Sequence, residues 1–257
     1  MAKQLRIPVV ALLALAAIVL GYTLWPREEE PALAPSCEAG PTVAGIDVSY
    51  YQNDISWKRV RRAGMRYAFI RTSDGLDNPD DHFAKNWAGA KRAGLLRGAY
   101  QYFRADQDAT AQADLLINTL AKDRGELPPV IDIENAGGKS PEELAVRVQT
   151  WIARVRDKLG VEPILYTGPE FWRDKANNAD LSAQPLWIAH YTRGCPTIPT
   201  PWTKWTFWQH TDNGRVPGIE GAVDLDLFAG TYQDLQDFAR RAVRKSASRR
   251  AVDARAR

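Results

Sequence analysis

The sequence predicts an α/β barrel of the (β/α)5(β)3 kind, preceded by a separate apolar segment. Three observations carry this expectation. From Val43 onward, eight short apolar runs recur at strand length: VAGIDVS, RYAFIRT, LRGAYQYF, PVIDIE, PILYTG, PLWIAHY, WTFWQH and AVDLDLF. Helix-period patterns separate the first five and follow the fifth, after which no convincing helix occurs until Tyr232. Alternating strands and helices argue for a parallel sheet, and eight strands are the number that closes a barrel. The competitor, an open doubly wound sheet, usually carries a glycine-rich phosphate turn after its first strand. Here that place is taken by Ser49-Tyr50-Tyr51-Gln52.

Each element has its own local warrant. Trp57 and Val60, stopped by Gly64, mark a short first helix. Phe83, Trp87 and Ala90 mark the second, stopped by Gly94. The clearest helix begins at Ser140, with Pro141 at its first position and Glu143 completing a capping box. Leu144, Val148, Ile152, Val155 and Leu159 then fall on one stripe, and Gly160 closes it.

The ends of the chain read differently from the middle. Lys3 and Arg6 precede 19 uncharged residues, Ile7 to Trp25, and Arg27 with three glutamates follows. As a helix that run spans roughly 28 Å, close to a bilayer core. Its positive flank sets the amino terminus in the cytoplasm, and Tyr22 and Trp25 suit the outer interface. Residues 1–25 are therefore expected to anchor the chain in the cytoplasmic membrane through residues 7–25. The alternative is a cleaved signal peptide. Ala32-Leu33-Ala34 has the form of a cleavage site, but Pro35 follows it, and the apolar run is longer than the usual signal core. Both readings send the rest of the chain out of the cytoplasm.

Residues 26–42 are rich in proline and glutamate and read as an extended tether. The barrel is assigned to residues 43–239. Residues 240–257 form a basic tail with eight Lys and Arg against one Asp. The whole chain is +3, so the part before the +7 tail carries −4. Such a tail is expected to be disordered; it could contact anionic polymer or lipid, or simply solubilise the chain. An exported chain permits a disulfide between its two cysteines, Cys37 and Cys195, although sequence does not show that they meet.

The stretch PVIDIEN, Pro129 to Asn135, is where chemistry enters. Side chains alternate along a strand, so Asp132 and Glu134 point the same way as Val130, and Ile131 and Ile133 the other way. Two carboxyls held this close resist ionising together, which keeps a proton on one of them near neutral pH. Alone, a D-x-E is as readily a solvated loop or cap. However, acids also interrupt two other strands, at Asp47 in GIDVS and at Asp224 and Asp226 in VDLDL. Strands one and eight are neighbours in a closed barrel, so Asp47 and Asp224 can approach. Charges in three apolar strands are costly unless they face a wet cavity, and barrel enzymes place that cavity at the strand ends.

Rival chemistries find little support. His82, His190 and His210 lack zinc spacing, there is no G-x-S-x-G elbow, and Cys195 lies in a Gly-Cys-Pro turn with no obvious base. An acidic cluster could hold a divalent cation, but glycosidic hydrolysis also uses paired carboxylates and needs no metal. No metal site and no cofactor are expected.

The blocks GIDVSYYQ, DISWKRVRRAG, FIRTSDG, LLRGAYQYF, VIDIEN, ILYTGPEFW, LWIAHY, FWQHTDNGRVPGI and VDLDLF occur in the order seen in glycoside hydrolase family 25, the N-acetylmuramidase type of lysozyme. The chain resembles that family from about Val43 to Gly230. The resemblance implies a modified TIM-like barrel and hydrolysis of the β-1,4 bond between N-acetylmuramic acid and N-acetylglucosamine in peptidoglycan. It implies that Glu134 is the proton donor, Asp132 its partner, and Asp47 and Asp224 flanking acids. Tyr166 resembles a tyrosine close to the reacting sugar, and Tyr100, Tyr102, Trp187 and Gln209 fall in blocks that supply groove residues. Two positions depart from the family pattern: His210 stands where an aromatic is frequent, and Asp226 where Asn is frequent. Peptidoglycan strands are the expected partner, for a monomer, with no specific nucleic acid. A binding module without activity, or a glycosidase for another wall glycan, is the alternative.

Overall fold

A computed structural model describes Cys37 and residues 40–241. The apolar run 7–25 and the tail beyond 241 lie outside the described residues. Among the described residues, no helix is long and apolar enough to cross a membrane.

Strands β1 (Thr42–Val48), β2 (Tyr67–Asp74), β4 (Leu96–Tyr102), β5 (Val130–Asp132), β6 (Ile164–Thr167), β7 (Leu186–Ala189), β8 (Phe207–Gly214) and β9 (Val223–Ala229) form one sheet that closes through β1 and β2. These are the eight expected runs. A two-residue strand, β3 (Asn78–Pro79), pairs back on the end of β2. Five helices fill the expected places: α1 (Trp57–Arg62), α2 (Phe83–Ala93), α3 (Ala109–Thr119), α4 (Pro141–Leu159) and α5 (Pro169–Lys175). A last helix runs over 232–241. The caps on α4 form as the sequence indicates: Ser140 and Glu143 bond reciprocally, and Gly160 takes the left-handed conformation.

One expectation is corrected. The sheet is not wholly parallel, because β9 runs antiparallel to both β8 and β1. The long connection needed for a parallel crossover is absent between β8 and β9, so the chain turns straight back. The inversion brings the beginning of β9, and not its end, to the carboxyl ends of the other strands. Asp224 consequently lies in register with Asp47.

The interior explains the sequence at the level of single residues. Most of the core packs between the outer face of the sheet and the helices. A second cluster fills the barrel with Tyr67, Phe69, Trp187 and Phe207 among its members. Phe69 stacks on Trp187 at 4.4 Å and meets Phe207 edge-on at 5.1 Å, while Tyr67 meets Phe207 at 5.3 Å. These rings fit because the strands beside them carry glycine. Gly45 pairs with Tyr67, and Gly98 pairs with Phe69. A Cβ on Gly98 would fall 2.4 Å from the Phe69 ring, and one on Gly45 2.3 Å from the Tyr67 ring.

Cys37 and Cys195 form a disulfide, with Cα atoms 4.6 Å apart. It ties the chain just before β1 to the loop between β7 and β8.

Gly98→Ala should therefore overpack the barrel and lower stability by roughly 1–3 kcal/mol. Urea unfolding of the wild type and variant would read this directly.

Candidate active site

Along each strand the inward positions run from apolar to polar. On β1 they are Val43, Gly45 and Asp47, on β5 Val130 and Asp132, and on β8 Phe207 and Gln209. The polar ends converge on a cleft of about 290 Å³. All nine residues singled out in the sequence line it: Asp47, Asp132, Glu134, Asp224, Tyr166, Tyr100, Tyr102, Trp187 and Gln209. Glu134 lies two residues beyond the end of β5, on the extended segment that follows it.

Gln209 connects the acids to the tyrosines. Its Nε2 donates to Asp47 Oδ2 at 2.7 Å, and its Oε1 accepts from the Tyr166 hydroxyl at 2.9 Å and the Tyr191 hydroxyl at 2.8 Å. Trp187 forms part of the floor. It is 1 % exposed, packs edge-on against Tyr166 at 4.6 Å, and its indole N–H donates to Asp226 Oδ1 at 2.9 Å. Asp226 thus sits below the cleft, opposite Gly45 on β1 and Gln209 on β8, and its Oδ2 is buried with no partner among the described residues.

Removal from water sets the titration of the acids. Burial pushes Asp132 well above the ordinary range; the charges of Glu134 and Asp47 push it further, and Arg71 opposes them. Burial also raises Glu134, and the polar Tyr166 hydroxyl beside it opposes that rise. Asp47 is raised by burial and then by Asp226, with the Gln209 bond pulling the other way. Burial and the charge of Asp47 push Asp224 up to about 9. The closeness of these two acids, in register across β1 and β9, lowers Asp47 and raises Asp224. Burial and the nearby acids push the Tyr102 hydroxyl up to about 12, so it remains a hydrogen-bond donor. The cleft therefore holds several carboxyls shifted toward their protonated form, and at neutral pH Asp224 keeps its proton. The cleft can deliver a proton, and it can stabilise a developing positive charge with those that are ionised.

The structure adds residues that the sequence reading passed over: Arg71, Tyr191 and Asp212 all line the cleft. Arg71 had a signal, a cation at an inward position of an apolar strand, FIRTS. Tyr191 and Asp212 had none, because their places depend on how β7 and β8 end. His210 is half-buried and packs against Trp208 at 5.8 Å, outside the residues that line the cleft. Among the described residues, no group of His, Cys, Asp and Glu is arranged to hold a metal ion.

Because Asp224 has a higher pKa folded than unfolded, the native state holds the extra proton. Its contribution to stability is full below about pH 4 and is lost as pH rises toward about 9. Asp224→Asn should raise the urea midpoint relative to wild type at about pH 8, with little difference at about pH 4.

Comparison with known proteins agrees with this geometry. Residues 46–219 match the family model described as Glycosyl hydrolases family 25. The chain is 40% identical over 205 residues to the uncharacterized protein YegX of Escherichia coli (strain K12), covering 78% of this chain and 74% of that one. It is 35% identical over 215 residues to Lysozyme M1 of Streptomyces globisporus, covering 79% and 72%. Among solved structures, the bacterial lysozyme from Streptomyces coelicolor superposes with a TM-score of 0.74 at 33% identity, covering 79% of this chain and 99% of that chain. A chain matched over most of its length, with an eight-stranded barrel and acids gathered at one mouth, belongs to glycosyl hydrolases family 25.

Proposed function

We propose that this glycoside hydrolase is a muramidase, cleaving the β-1,4 bond between N-acetylmuramic acid and N-acetylglucosamine in peptidoglycan, with Glu134 as general acid. The observation that carries the assignment is Glu134 exposed at the mouth of the cleft, its carboxyl raised by the desolvating walls around it and set beside the buried Asp132. Likeness to Lysozyme M1 supports the substrate class.

In this reading Glu134 gives its proton to the glycosidic oxygen as the bond to the anomeric carbon breaks. Positive charge grows on the sugar ring and is stabilised by the ionised acids around it. Asp132 suits substrate assistance. Its Oδ1 is buried and has no hydrogen-bond partner among the described residues, so it can accept the N–H of the 2-acetamido group. The acetamido carbonyl oxygen then closes on the anomeric carbon, and water later opens that intermediate, returning a proton to Glu134. Tyr166, held by its hydrogen bond to Gln209, lies beside Glu134 and steadies the acid. Asp47 and Asp224 stand in register beside the reacting centre, while Tyr100, Tyr102 and Trp187 shape the groove.

The reading extends to where the enzyme works. The Cys37–Cys195 disulfide supports an oxidising compartment outside the cytoplasm. The 19-residue apolar run supports an anchor that holds the barrel on the outer face of the cytoplasmic membrane, with the basic tail contacting anionic polymer or lipid.

Glu134→Gln should lower turnover of purified peptidoglycan by about 10²–10⁴-fold while glycan binding persists. Borohydride reduction of the released fragments, followed by mass spectrometry, should find reduced muramic acid with the wild type. Reduced glucosamine would instead identify a different bond.

A further inference from the structure

The side chains that line the cleft include five carboxyls, from Asp47, Asp132, Glu134, Asp212 and Asp224, and a single cation, Arg71. Arg71 follows Tyr67 and Phe69 on the inward side of β2, at the point where apolar floor gives way to the mouth. The ladder between β2 and β4 is regular up to Arg71, which pairs with Tyr100, and then shifts register before Ser73. Bulges of this kind re-aim a side chain at the rim of a barrel. Here the shift isolates Arg71 as the last inward residue of the regular strand.

Its guanidinium is held from behind. Nε donates to Asp80 Oδ2 at 3.2 Å, and the Asp80 carboxylate is buried and also accepts the backbone N–H groups of Tyr50 and His82. The guanidinium carbon lies 4.8 Å from the centre of the Tyr50 ring and 5.4 Å from that of Tyr51. Arg71 is only 12 % exposed in its side chain. The contact with Asp80 occupies Nε, one of the five N–H donors of the group, and a guanidinium fixed in this way offers its terminal edge to planar acceptors such as a carboxylate.

The proposed substrate carries such an acceptor, and it distinguishes the two sugars of the polymer. Muramic acid differs from glucosamine by a 3-O-lactyl ether whose carboxyl is free in peptide-free strands and an amide carbonyl where a peptide is attached. An acidic cleft would repel that carboxylate unless a cation received it. We propose that Arg71 is the specificity-determining residue of this cleft, receiving the lactyl carboxyl of the muramyl unit. This rests on the muramidase reading above.

The test compares peptide-free glycan strands with the same strands after reduction of the lactyl carboxyl to the alcohol. Wild type should favour the carboxylate strands by about tenfold in kcat/KM, the size of one charge-assisted hydrogen bond. Arg71→Met should bring that ratio to within about twofold, and Arg71→Lys should keep part of it. An equal loss by Arg71→Met on both substrates would overturn the proposal, because it would mean that Arg71 acts through the charge of Asp132 alone. An unchanged ratio would overturn it too. Calorimetric binding of the two glycans to the same proteins reads the contact without turnover. A Kd ratio of about tenfold in wild type that vanishes in Arg71→Met sustains the Arg71 contact even if hydrolysis is absent and the muramidase reading fails. Equal Kd values in wild type would overturn the contact itself.

Discussion

The chemistry at the mouth of this barrel depends on the aromatic floor beneath it. Phe69 and Trp187 stack across the barrel, and Tyr67, Phe207 and Tyr166 close around them. With packed, buried rings below, a carboxyl placed on the next layer loses hydration and resists ionising. Burial is the first cause of the raised titration of Asp47, Asp132, Glu134 and Asp224 alike; like charges come second for the three aspartates. The floor in turn exists only because Gly45 and Gly98 leave space for rings on the strand beside them. A residue with no side chain at the base of a strand is thus tied to the proton held at its end.

The polar groups nearest the floor are satisfied by a small number of shared bonds. Gln209 is the clearest case: one amide donates to Asp47 and accepts from two tyrosines. This leaves Asp47 anchored and Tyr166 close to Glu134, so the site is stiff before any substrate enters. Asp226 holds the Trp187 indole in the same way from below. Preorganised groups of this kind need no rearrangement when charge develops, which is where most of the catalytic advantage of a fixed polar site lies.

Much of this was legible in the sequence, for definable reasons. The eight strands announced themselves through their length and spacing, and the long helix through Ser140, Pro141, Glu143 and Gly160. Asp47, Asp132, Glu134 and Asp224 were legible because an acid in an apolar strand has few inexpensive explanations. The direction of β9 was not legible, since strand patterns carry no polarity; only the brevity of the connection from β8 hinted at the reversal. Asp226 shares the period of Asp224, yet ends one layer lower, a difference that emerges only when β9 is inverted and paired with β1. Arg71 was passed over because an arginine at a strand end is ordinarily a solvated rim residue. Its role as the cleft's cation depends on Asp80, nine positions further on and brought back by the short β3 return. The meeting of Cys37 with Cys195 depends on long-range packing that two isolated cysteines cannot encode.

The central claim is that desolvation at the mouth of the barrel holds the Glu134 carboxyl above the ordinary glutamate range. Carbon-13 NMR of selectively labelled glutamate carboxyls, assigned by comparison with Glu134→Gln, would follow that group through a pH titration. The account predicts a midpoint above the ordinary glutamate value of about 4.3, moving further upward in Tyr166→Phe as the opposing hydroxyl is removed. A midpoint at the ordinary value, unchanged in that variant, would contradict it.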